Sequence, residues 1–477
     1  MAPLVNNARW KDVTRNLAER DATFVAMWGE RNDGGGNVNL AVRHKGERSI
    51  EIVSHSAPDS HYPSVGRHHP SAILMERAIQ DVYGLVADGL PDTRPWLDHG
   101  FWPHSRARTS YNFKPALGPG VHQIPVGPVH AGTIEPGHFR FSVNGEIIVR
   151  LEARLGYVHR DVLGLMRGGA IDDAAALVGR ISGDSTVAYA FAFARAVEQA
   201  LGLTVPARAS TLRGIMAELE RLANHLGDFG AICNDSGFSL LNTHAAVLRE
   251  RVLRLAALVF GHRLMMDCIV PGGVLRDLNE GGATALKSGL PSVLVTFERL
   301  VDLYEKTASL QDRVVGTGWL DPALASLLGC GGYVGRAAGQ NFDARRDMPY
   351  APYDGIDVRV PVLSSADVDA RVRVRIAEIQ ESVRILLCLL DMMPKSSIHA
   401  ALPNDLTVRS GAALVEGFRG DIFAFVRVCG GRISDVFVRD PSWFLWPALE
   451  AAIEGNIVAD FPLCNKSFNA AYAGCDL

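Results

Sequence analysis

The stretch GPVHAGTIEPGHFRFSVNGEIIVRLEARLGYVHR, residues 127–160, decides how the chain is read. Its first half is a loop framed by glycine and proline that carries His130, Glu135, His138 and Arg140. From His138 to Val158 it reads as two strands joined at Asn144-Gly145, a pair that favours the tight turn of a β-hairpin. A loop running into a hairpin projects its side chains from a fixed scaffold, where a ligand can meet them. The histidines and the glutamate can supply a proton or a hydrogen bond near neutral pH, or serve only the loop's own structure. Their spacing matches no zinc pattern.

Downstream, long helical patterns take over. In ASTLRGIMAELERLANHLGDFG (209–230), Leu212, Ile215, Met216, Leu219, Leu222 and Leu226 fall on one face. Glu220 pairs with Asn224, and Arg221 with His225, at the i,i+4 spacing that puts each pair on one face. A buried polar network between helices and a ligand site both fit that arrangement. Asp235, in CNDSGF just after this pattern, is a functional carboxylate or a turn residue. ADVDARVRVRIAEIQESVRILLCLLDMMP (366–394) is a second long helix, stopped by Pro394. The C-terminal part reads as mixed strand and loop, with a turn at Gly430-Gly431. Arg345 and Arg346 can bind carboxylates or anionic lipid, a structural salt bridge being the simpler reading.

Upstream, FVAMW (24–28), VNLAVRH (38–44) and RSIEIVS (48–54) are short strands separated by turn material at 34–36 and 45–47. HHPSAILMERAIQDVYGL (68–85) becomes helical after Pro70. A Pro/Gly-rich segment runs from Pro91 to Pro128, and we place a domain boundary within it, giving units 1–116 and 117–477. The class is α+β: a small α/β unit, then a mostly helical one opened by a β-hairpin.

Composition limits the function. The 477 residues are 48% apolar with a formal charge of −4, a globular balance with no nucleic-acid footprint. Seven cysteines, at 233, 268, 330, 388, 429, 464 and 475, include no C-x-x-C pair. Reduced thiols in a cytoplasmic compartment are expected, and no iron–sulfur cluster ligated within this chain. The N-terminus has no signal-peptide core, and the apolar stretch 253–270 is broken by Arg254, His262 and Arg263. Any membrane link therefore runs through a partner. No P-loop, dinucleotide fingerprint or nucleophile elbow is present, so the chain is not expected to bind nucleotide by those devices; the likeness set out below would put any NAD on another subunit.

The loop and hairpin 127–160 resemble the start of the large subunit of formate-hydrogenlyase-type membrane hydrogenases, relatives of the D-type subunit of complex I. Similar motifs follow in order: VPARASTLRGIMAELERLANHL (205–226), LRER (248–251), PGGVLRDL (271–278), GRAAGQNFDARRDMPY (335–350), VEGFRGD (415–421) and WPALEAAIEGNIVADFPL (446–463). MERAIQDVYGL (75–85) and PDTRPWL (91–97) resemble the C-type subunit of complex I, so the chain looks like a C-then-D fusion. The resemblance implies a nickel–iron hydrogenase large-subunit-like second domain. It also implies a place in the cytoplasmic peripheral arm of a membrane-bound complex, beside a B-type iron–sulfur subunit, with electron flow coupled to proton or sodium movement.

Two departures bear on the chemistry. Where the hydrogenases carry R-x-C-G-x-C, this chain has Arg180 to Ser185, with Ser182 and Ser185 at the cysteine positions. The second cysteine pair falls on Ala471 and Gly474, with Cys475 one residue away. Hydroxyl, methyl and hydrogen cannot replace thiolates, so no metal ligands and no nickel–iron hydrogenase activity are expected. The complex I likeness implies a quinone cavity instead, with His130, Glu135, His138 and Asp235 as proton-handling residues. The family's quinone-binding tyrosine aligns with Gly183, leaving Tyr189 as its substitute, with His225 beside it. A redox-inactive scaffold joining a dehydrogenase module to the membrane arm is the rival implication.

Overall fold

The computed structural model describes residues 7–32, 35–102, 111–130, 134–403 and 406–477. Parts of four sequence readings lie outside these: the N-terminal residues 1–6, one glycine of the 34–36 turn, residues 103–110 of the proline-rich segment, and residues 131–133 of the hairpin loop.

The N-terminal unit is an antiparallel sheet of Ala22–Asn32, Gly35–His44 and Glu51–Ser56, in that order. The helices Asn7–Ala18 and Ile73–Tyr83 pack on it. Trp28 sits between the units. Its ring stacks on Phe437 at 5.2 Å and touches Phe423 and Phe425 of the C-terminal sheet, while Arg439 donates to the Val25 carbonyl. Each such aromatic pair adds roughly 0.5–1.5 kcal/mol beyond area burial, so the two units share one core.

The hairpin forms as the sequence predicts. His138–Asn144 pairs with Ile147–Arg154, and Gly145, at φ +62°, takes the left-handed turn position that a side chain would strain. Val121–Val126 adds an outer strand that sequence reading missed, because Pro125 and a proline-rich flank hide its pattern.

Behind the hairpin stand the helices Thr186–Leu201, Ala207–Asp235, Ser239–Phe260, Glu280–Lys306 and Val368–Asp391. The Ala207–Asp235 helix is the axis, packing against both Ser239–Phe260 and Val368–Asp391. It runs further than read: Asp235 is its last residue, not part of the turn that follows, because Ile232 and Cys233 keep its buried face going. A sheet of Arg409–Glu416, Asp421–Cys429 and Arg432–Arg439 closes the far side. Gly411 lets that sheet meet the Thr186–Leu201 helix, since a Cβ there would lie 2.2 Å from the Ala196 carbonyl oxygen. Helices Ser442–Ala452 and Phe461–Phe468 follow, so the C-terminal part is more helical than the mixed strand and loop expected. Among the described residues no helix is long and apolar enough to cross a membrane.

Candidate functional site

The Ser182–Ser185 turn leads directly into the Thr186–Leu201 helix. Glu220 holds it there, its carboxylate accepting the Val187 and Ala188 backbone N–H groups that begin the helix. Burial pushes Glu220 up to about 8 despite those bonds. Asp184, between the serines, is the turn's charged residue. Arg419 forks onto it at 2.9 and 2.5 Å and reaches Ser185 Oγ at 3.2 Å, and Ser182 Oγ donates to Asp184 at 2.6 Å. Burial works to raise the Asp184 carboxyl, but the Arg419 charge and these bonds hold it at about 2. A fixed ion pair thus occupies the space between Ser182 and Ser185.

The C-terminal segment closes over the same place. Arg419 Nε donates to the Asn469 carbonyl, and Asn469 Nδ2 donates to Asp228, which Lys466 approaches at 3.2 Å. Ala471 N donates to Ser442 Oγ, and the Trp446 indole donates to the Ala471 carbonyl. Gly474 lies on Asp440, so near that a Cβ would meet its Cγ at 2.7 Å. Tyr189 is fully buried beneath, its hydroxyl donating to Asp440.

The other predicted residues divide. Glu135 accepts the Ala473 N–H at 3.0 Å, and His130 lies 6.5 Å, ring to ring, from Tyr472, so both meet the C-terminal segment. His130 Nε2 is buried with no hydrogen-bond partner among the described residues. His138 is held within the hairpin, between the Gly127 carbonyl and Arg140. Asp235 is half-buried, and burial raises its carboxyl. Lys466 acts electrostatically on both Asp235 and Asp184. His225 is fully buried against Glu378 at 2.7 Å, and Arg221 donates to the Glu416 and Gly417 carbonyls, forming the interhelical network. Arg345 likewise forms a buried salt bridge with Asp343 and Glu218.

Comparison with known proteins matches this architecture. Residues 4–115 match the respiratory-chain NADH dehydrogenase 30 Kd subunit family and residues 235–413 its 49 Kd subunit family. Residues 160–233 match the nickel-dependent hydrogenase family. Formate hydrogenlyase subunit 5 of Escherichia coli is 31% identical over 87% of this chain and 77% of its own length. Hydrogenase-4 component G of the same organism is 32% identical over 92% of this chain and 80% of its own. The chain belongs to their family. It joins the 30 Kd and 49 Kd units in one polypeptide, as does the C/D-type NADH-quinone oxidoreductase protein of Bacteroides fragilis, 28% identical over 81% of this chain and 80% of that one. In three dimensions it matches a chain from the membrane-bound sulfane sulfur reductase, an archaeal respiratory membrane complex. The TM-score is 0.70, at 26% identity over 75% of this chain and 99% of the other.

Family membership raises the question of a nickel–iron centre, and the donor set answers it. Ser182, Ser185, Ala471 and Gly474 offer no thiolate, and Asp184 already lies bound to Arg419 between the serines. Cys475 is sealed, its thiol pushed well up by burial, away from the thiolate a metal requires. Among the described residues no group of three or more His, Cys, Asp or Glu side chains is arranged to hold a metal ion. The residues present do not fit the centre.

Sequence reading missed Asp184, Asp228, Asp440 and Lys466 as parts of this cluster. Arg419 carried a usable signal, a cation set among the glycines of VEGFRGD. The partners of Asp440 come from three separate segments, and no spacing rule joins them.

Proposed function

We propose that this chain is a peripheral-arm subunit of a complex I-like membrane assembly, whose inherited pocket delivers protons to a quinone rather than activating dihydrogen. The carrying observation is the Asp184–Arg419 pair between Ser182 and Ser185. Paired charges and hydroxyls orient hydrogen bonds and move protons, but they lack the soft anionic ligands of a hydrogen-splitting centre. His130, with its unpartnered ring nitrogen, and Asp235, raised by burial, are the groups suited to protonate a quinone as electrons arrive. The electrons would come from a cluster in a B-type iron–sulfur partner. Any NAD chemistry would belong to another subunit, and membrane-arm partners on the inner face of the cell membrane would move protons or sodium.

Elemental analysis of the purified assembly, with quinone-reductase assays of wild type, Asp235→Asn and His130→Ala, tests this reading. We expect no stoichiometric nickel and about a 10²-fold loss of turnover in each variant. Full turnover in both variants leaves the redox-inactive scaffold as the function. That second reading draws support from Tyr189, His138 and His225, all already committed to internal hydrogen bonds.

A further inference from the structure

Beside this pocket the helical domain seals a second set of charges that the reading above does not use. Four carboxylates belong to it: Glu218 on the Ala207–Asp235 helix, Glu378 on Val368–Asp391, Asp343 before Ala344–Asp347, and Glu416 ending Arg409–Glu416. Three guanidiniums face them, from Arg221, Arg336 and Arg345, with His225 at one side. All eight residues are at most 1% exposed.

Arg336 donates to Glu378 at 2.6 and 3.0 Å and to Glu416 at 3.0 Å, and lies 3.5 Å from Asp343. Arg345 forks onto Asp343 and reaches Glu218 at 3.0 Å. Arg221 lies 3.5 Å from both Glu218 and Glu378. Tyr353 and Ser382 donate hydroxyls to Glu218. Of the flanking groups, Asp421 with Arg439 is a balanced pair, while Asp228 is shared by Arg375 and the partly exposed Lys466.

Four anions therefore share three cations in an interior closed to water. A lone surplus charge in such a place is neutralised by taking up a proton rather than left bare. Glu416 has the poorest share: one guanidinium bond and the Ala344 N–H, with the Asp343 and Asp421 charges nearby. Glu378, by contrast, holds two Arg336 bonds and the His225 ring.

We propose that this sealed cluster is a binding site for one proton, carried on the Glu416 carboxyl. The exchange is Glu416–COOH to Glu416–COO⁻ plus H⁺, with no other bond made or broken. Burial and the Asp343 charge raise Glu416 to about 7, while burial lowers His225, which works against an imidazolium serving as a fourth cation. The site lies three residues from Arg419 and is independent of whether quinone enters the pocket.

Infrared titration of the full chain, in its assembly, reads the protonated carboxyl directly. Wild type minus Glu416→Gln should isolate one carboxylic-acid band, present a pH unit below 7 and lost a unit above it. Asp343→Asn leaves Glu416 in place but equalises the charges, so the same band should vanish at both pH values. An empty difference spectrum, or a band unchanged in Asp343→Asn, overturns the proposal. Should both variants fail to fold, the conservative Glu416→Asp decides: a carboxylic-acid spectrum across pH 7 identical to wild type, with no band shifted in frequency or midpoint, rejects the site.

Discussion

The pocket and the sealed cluster are built from the same chemistry, arginine forks on carboxylates, yet they differ in access and in charge balance. In the pocket, Arg419 is 5% exposed and Asp184 34%, and the two are matched one to one. In the cluster every charge is sealed and anions outnumber cations. A balanced pair whose anion is partly exposed can be lost at moderate cost, whereas a sealed cation held by several anions cannot. The turn at Ser182–Ser185 holds a plain ion pair, and the more demanding electrostatics lie deeper in the fold.

The strongest break of this contrast is Arg336→Met. It strands Glu378, Glu416 and Asp343 without their shared cation, and losing one partner of a buried pair costs about 3–5 kcal/mol. Denaturant unfolding should show that loss, or no folded protein at all. Arg419→Met should cost less, on the order of 1–3 kcal/mol, because Asp184 keeps contact with water. A larger loss at Arg419 than at Arg336 reverses the comparison.

Acidity sharpens it further, because the two regions respond with opposite sign. Asp184 is depressed from 3.8 to about 2, so its stabilisation is full above pH 3.8 and fades as pH falls through 2. Glu416 is raised from 4.5 to about 7, so its contribution is full below pH 4.5 and fades as pH rises through 7. Melting temperature against pH should lose its acid limb in Asp184→Asn and its neutral limb in Glu416→Gln. A more local effect belongs to Glu220→Gln. The amide has one acceptor oxygen for the Val187 and Ala188 N–H groups, and leaving the other buried donor unpaired should cost about 1–3 kcal/mol in urea unfolding.

Much of the fold was legible because its signals are local. The Asn144-Gly145 turn, the apolar face from Leu212 to Leu226 and the stop near Pro394 each depend on neighbours in sequence. The site was legible only as vacancy: Ser182, Ser185, Ala471 and Gly474 could be named, but not what replaced their function. Asp184 meets Arg419 across 235 residues and Tyr189 meets Asp440 across 251, and no periodicity encodes such pairings. Burial was equally hidden. Tyr189 and His225 carry polar groups on helices buried over most of their surface, so exposure could not be guessed from residue type.

Gly474 limits what this position can hold. With 2.7 Å between a would-be Cβ and Asp440, which Tyr189 and Ser442 hold in place, any larger residue must first dislodge its neighbour. A cysteine introduced there would meet that steric penalty before its thiol could ligate anything. Placing a thiol at this corner therefore means moving or replacing Asp440 as well, two changes rather than one.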